Sequence, residues 1–151
     1  NMVDINVVAL MHLSHLYGNE MKKRRKGRIL NVASVAAFSA GPYMSVYYAS
    51  KAFVFSLSQA MYEELKGYGV SVTALCPGPT GTNFENTAGL TNSKMFKVFG
   101  VEKADSVVKR GYKGMMRGKA IVYHSKVTYG FNIITRLVSR KCARNIAGRI
   151  N

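Results

Sequence analysis

The stretch VSVTALC (residues 70–76) limits the fold most strictly. It is an apolar run rich in β-branched residues, and it stops at Pro77-Gly78, so it reads as a strand with a turn forced at its end. Its neighbours alternate with it. The residues RILNVAS (28–34) read as a second short buried strand and AIVYH (120–124) as a third. Apolar positions at helical spacing predict helices over 4–21, from about Val46 to Lys66 with Ser45 as N-cap, over 102–117 and over 127–144. Helix, strand, helix, strand, loop, helix, strand is the order of an open α/β sheet whose parallel strands are joined by crossover helices.

At 151 residues the chain fits one domain with a real core, and its 48% hydrophobic and 19% charged residues are those of a globular protein. No apolar run approaches the ~20 residues that span a bilayer. No signal-peptide pattern opens the chain, and Asn1 suggests a start within a longer protein. Cys76 and Cys142 are too few and too distant for a disulfide framework or a zinc site, which points to a reducing compartment and a cytoplasmic location.

The charge is uneven. Twenty-two Lys and Arg against seven Asp and Glu give +15, and KKRRKGR (22–28) holds six bases. Such a balance favours acidic partners. Nucleic acid is set aside, because aromatics are not interleaved with the bases and no nucleic-acid motif is present. An anionic membrane surface suits the last helix, which would set Arg136, Arg140 and Arg144 on one face and Phe131, Ile134 and Val138 on another.

The chemistry concentrates around YYASK (47–51). Tyr47 and Lys51 stand four residues apart and share one helix face. A tyrosine near its usual pKa of ~10 is a poor base and a sluggish acid, and a nearby ammonium lowers that pKa. Ser34 ends a strand thirteen residues earlier, at the edge where open α/β sheets hold ligands. A hydroxyl there could bond a carbonyl beside the phenol. The second strand ends at the same edge in CPGPTGTNF (76–84), where Thr80 and Thr82 offer hydroxyls.

Asn6 in DINVVAL, Ser34 in ILNVAS, Tyr47-x-x-x-Lys51 and PGPTGT (77–82) stand in the order and at the spacings of the short-chain dehydrogenase/reductase family, and the chain resembles that family. The likeness is to a bacterial member of the acyl or keto reductase kind. It runs from Asn1 to about Thr82, then more weakly through GYKGMMRGKAIV (111–122). The resemblance implies a Rossmann-type doubly wound parallel sheet and hydride transfer between NAD or NADP and a carbonyl or alcohol substrate, acyl or steroid-like. It makes Tyr47 the acid/base and Ser34 the group that orients the substrate oxygen. Lys51 would lower the phenol's pKa and hold the nicotinamide ribose, and Asn6 would hold a water in a proton relay. Pro77, Gly78, Thr80 and Thr82 would pass over the nicotinamide. It also implies pairing into a homo-oligomer.

One departure stands out. The family's glycine-rich turn, where a helix N-terminus receives the pyrophosphate, has no G-x-x-x-G-x-G counterpart here. The expectation is therefore about three strands, the carboxyl-terminal catalytic part of such a domain, inactive when alone.

Other residues are read as structural. Tyr48 is the rival phenol, assigned to packing or the substrate rim. His12 and His15 lack a carboxylate or cysteine partner for a metal. His124 reads as a satisfied edge histidine, and Asn31 as bonded to backbone or a helix end. Glu63 and Glu64 point different ways and form no catalytic pair. Met95, Phe96, Val98 and Phe99 are candidates to line an apolar substrate pocket.

Overall fold

A computed structural model describes residues 2–82 and 99–150. Three parallel strands form the main sheet in the order β1-β2-β5: β1 is Gly27–Val32, β2 Val70–Cys76 and β5 Ile121–Tyr123. Register runs from Gly27 opposite Val70 to Val32 opposite Leu75, and Ala74 faces Ile121. The expected parallel α/β architecture is present, with Ser34 and Pro77 at one carboxyl-end edge. Pairing continues past the strand ends, since Ala33 N donates to Leu75 O (2.8 Å) and Val35 N to Pro77 O (2.9 Å).

β2 is central and packs on both faces. Val70, Val72, Ala74 and Cys76 are essentially inaccessible and meet α2 (Ser45–Lys66), while α1 (Leu10–Arg24) covers Ile29 on the same side. Leu75 turns the other way, into a cluster with Val107 and Val122 beneath α3 (Ala104–Met116). A buried valine such as Val72 contributes roughly 2 kcal/mol through removal from water. α3 comes close to the sheet at two glycines. A Cβ on Gly111 would lie 2.7 Å from a Leu75 methyl, and one on Gly114 would collide with a Val122 methyl. Only glycine permits that approach.

Several boundaries differ from expectation. Residues Asp4–Ala9 form a π-helical turn ahead of α1, and Lys22, Lys23 and Arg24 of the basic run fall in the last turn of α1, which ends where Arg25 adopts φ 53°. Met44, not Ser45, caps α2, and it does so without a side-chain bond. Residues 102–103 are extended: β4 (Glu102–Lys103) pairs in parallel with β3 (Thr80–Gly81), so α3 begins at Ala104. The last helix is two. α4 (Lys126–Leu137) stops as Val138 turns extended (ψ 157°), and α5 (Arg140–Ile150) starts afresh with Ser139 Oγ accepting from Cys142 N (3.3 Å). Arg136 therefore sits on one helix and Arg140 and Arg144 on another, so the single basic face expected over 127–144 does not exist. No helix among the described residues is long and apolar enough to cross a membrane.

Buried polar groups are tied together. Ser14 Oγ donates to Asn31 Oδ1 (3.4 Å), Asn31 Nδ2 to Ser58 Oγ (3.0 Å) and Ser58 Oγ to Val54 O (2.6 Å). Asn31 thus bonds mid-helix hydroxyls of α1 and α2 rather than backbone or a helix end. This chain of bonds fixes both helices on β1.

Candidate active site

The sheet's carboxyl edge gathers the side chains in question. Ser34 follows β1 in extended conformation (φ −170°, ψ 162°), is buried, and caps the short 3-10 turn Val35–Phe38 by accepting from Ala36 N at 3.1 Å. Tyr47, on the first turn of α2, lines the same cavity as Ser34, whose side chain acts on the phenol's pKa. One turn on, Lys51 Nζ donates to Val32 O (2.9 Å), at the last residue of β1. Asn6 reaches the same turn from the π-helical segment: its Nδ2 donates to Ser50 Oγ (3.1 Å), which donates to Tyr47 O (2.7 Å). A π-turn often marks a functional position because it turns one side chain out of the regular helical sequence. Thr80 Oγ1 donates to Gly78 O (3.0 Å), which closes the turn after β2.

Asn6, Ser34, Tyr47, Lys51, Pro77, Gly78, Thr80 and Thr82 all line one cavity of about 420 Å³. Val35, Pro79, Val107 and Val108 supply much of its apolar wall. A second cavity of about 470 Å³ lies along β5 between Arg110, Lys113 and Lys126, and it holds none of these eight residues.

Electrostatics correct one expectation. Burial pushes the Tyr47 phenol above the ordinary tyrosine value, and the Ser34 side chain offsets this only in part. The Lys51 ammonium lies 5.9 Å from the ring centre, is bonded to a carbonyl, and is itself shifted down by burial. The expected lowering of the phenol's pKa by Lys51 is therefore not what this arrangement produces. The nearby Cys76 thiol is buried and pushed up to about 12, which leaves it inert as a nucleophile. Tyr48 is buried in a cluster with Ala36 and Ala147, in keeping with a packing role. Phe99 meets Phe131 edge-on at 5.2 Å, whereas Met95, Phe96 and Val98 lie outside the described residues.

A polar cluster near the cavity has no local sequence signal. His124 is buried, its Nε2 is 3.0 Å from Ser106 Oγ, and its Nδ1 is 2.7 Å from Glu102 Oε2 without the alignment of a hydrogen bond. Glu102 is the register partner of Thr80. The cluster thus ties β3 and β4, which border the cavity, to the end of β5. Its members are up to twenty-two residues apart, so spacing alone could not join them.

Comparison with known proteins decides the family. The sequence profile of short chain dehydrogenases matches residues 1–92, more than half of the chain. The chain belongs to the short chain dehydrogenase family. Within that family it is 34% identical over 113 residues to 17-beta-hydroxysteroid dehydrogenase type 3 of Mus musculus, covering 75% of this chain and 34% of that one. It is 42% identical over 73 residues to the ketoacyl reductase HetN of Nostoc, covering 48% and 25%. Among solved structures, the short-chain dehydrogenase from Sphingobium yanoikuyae in complex with NADPH superposes with TM-score 0.74 at 28% identity, covering 89% of this chain and 53% of that one. A 7beta-hydroxysteroid dehydrogenase shares the fold with TM-score 0.80 at 20% identity, covering 97% and 57%. The chain thus spans a quarter to a third of those two curated relatives, and about half of the two structural ones.

Proposed function

We propose that the protein carries the catalytic part of an NAD(P)-dependent oxidoreductase that interconverts a ketone and a secondary alcohol on a bulky, apolar substrate. One observation carries this reading: eight residues drawn from four separate segments line a single cavity at the sheet's carboxyl edge. The donor set suits a nicotinamide and its ribose, with an ammonium at Lys51 and hydroxyls at Tyr47, Thr80 and Thr82. Nothing among the described residues offers a glycine-rich turn for a pyrophosphate. A nicotinamide bound here supplies the hydride in reduction and accepts it in oxidation.

The chain's own residues handle the proton and the substrate. Ser34 and Tyr47 converge on one carbonyl oxygen, and Tyr47 Oη gives it a proton as the adjacent carbon receives hydride. The product is the alcohol, and the phenolate left on Tyr47 is reprotonated from solvent. Burial holds the Tyr47 phenol in its protonated form in the ligand-free protein, so the proton is present for transfer. Asn6 and Ser50 hold the first turn of α2 in place, and Lys51 fixes it to β1. The apolar wall accepts a hydrocarbon flank, in keeping with the steroid and acyl substrates named for the relatives.

The test joins these 151 residues to a glycine-rich nucleotide-binding half and measures NADPH oxidation with ketone substrates. Tyr47→Phe should lower kcat by about 10²- to 10⁴-fold and leave NADPH affinity nearly unchanged, because only the acidic hydroxyl is removed. Lys51→Ala should impair both. Turnover retained by Tyr47→Phe would overturn the assignment.

A further inference from the structure

Helix α4 is built inside out. Its buried positions are polar: Thr128 is 1% exposed and Asn132 is 4% exposed. Both are satisfied there. Thr128 completes a capping box with Ser125, and Asn132 Nδ2 donates to Tyr123 Oη (2.6 Å). The outward positions are apolar, with Val127 50% exposed, Tyr129 53%, Ile134 52% and Leu137 82%. A helix at a water interface ordinarily shows the reverse pattern. Positive charge frames this face, with Lys126 at its start, Arg136 within its last turn and Arg140 just beyond. No Asp or Glu follows Asp105 in the sequence.

We infer that α4 lies on an anionic lipid surface, with its outward aliphatic side chains between the headgroups and its bases against the phosphates. The charge decides among occupants. A second copy laid on the same face would bring Lys126, Arg136 and Arg140 against their own kind, and neither α4 nor α5 carries a carboxylate to pair them. Nucleic acid would meet the bases but has no use for Ile134 and Leu137, whereas an acidic bilayer rewards both features. The basic face of α5 adds charge nearby, while that helix spends its own small residues Ala143 and Ala147 on the protein core. α4 is therefore the element that inserts.

The protein has no tryptophan, so Leu137→Trp introduces a single reporter. Mixed with phosphatidylcholine vesicles containing phosphatidylglycerol, this variant should show blue-shifted emission and quenching by brominated acyl chains; pure phosphatidylcholine should give neither. In sedimentation with the same vesicles, Ile134→Asp with Leu137→Asp should weaken binding by roughly tenfold or more. Lys126→Glu with Arg136→Glu should weaken it by roughly thirtyfold or more, and only on the anionic vesicles. Both pairs are exposed, so folding should survive, and circular dichroism checks this. Unshifted Trp emission overturns the inference. So does a light-scattering mass that falls from dimer to monomer in Ile134→Asp with Leu137→Asp while vesicle binding is unchanged, which would mean that a second copy covers the face. Binding to a DNA duplex that matches binding to vesicles and ignores the two aspartates would leave a surface that reads charge alone, and would overturn it too.

Discussion

A phenol that is to protonate a ketone must still hold its proton at neutral pH, and Tyr47 is placed to do so. Burial disfavours the phenolate, and the Ser34 side chain recovers only part of the loss. Lys51 spends its ammonium on the Val32 carbonyl, nineteen residues away in sequence, a backbone partner that no side-chain pattern announces. The spacing of Tyr47 and Lys51 was therefore legible, while the use of the ammonium was not. For the ligand-free protein the sign follows: the phenolate of Tyr47 should appear only above pH ~10. Carbon-13 NMR of labelled tyrosines should show the raised midpoint, and Lys51→Met should leave it raised. A wild-type midpoint below 10 that rises in Lys51→Met would restore the ammonium as its cause.

Helices here are placed by what lies beneath them, and α3 shows how tightly. Gly111 and Gly114 let its axis sink onto Leu75 and Val122, so a side chain at either position must lift the helix. Gly114→Val should destabilise the fold by roughly 2 kcal/mol or more through overpacking, read as a lower urea midpoint at unchanged slope. An unshifted midpoint would mean that α3 is not held as described. The same logic explains which helices the sequence revealed. α2 follows its apolar periodicity because one face packs on β2. α4 and α5 defeated that periodicity for two reasons. Neither glycine nor proline marks the break at Val138, and polar Asn132 goes in while apolar Ile134 faces out. Sequence period reports amphipathicity, but it cannot say which side is the core when polar groups find buried partners.

At the scale of the whole molecule, three parallel strands carry a cavity whose donors are proposed to hold a nicotinamide, and no glycine-rich turn for a pyrophosphate lies among the described residues. Catalysis needs the reacting carbon held within reach, and much of that positioning comes from binding the remote parts of a dinucleotide. The 151 residues by themselves should therefore bind NADPH feebly and show no dehydrogenase activity, as fluorescence titration and a ketone-dependent assay would reveal. Tight, saturable binding would show that the cofactor is gripped elsewhere. The pairing that runs beyond the strands, through Ala33 to Leu75 and Val35 to Pro77, bears on something else: the tolerance of the chain to insertions and deletions. Because neighbours in extended backbone face opposite ways, losing one residue from β1 would present Val35 where Ser34 now stands, and gaining one would present Ala33. The same loss between Ser39 and Met44, ahead of α2 and outside the ladder, would be taken up by the turn. Length changes in related chains should therefore crowd into that turn and stay out of the six residues before Ala33.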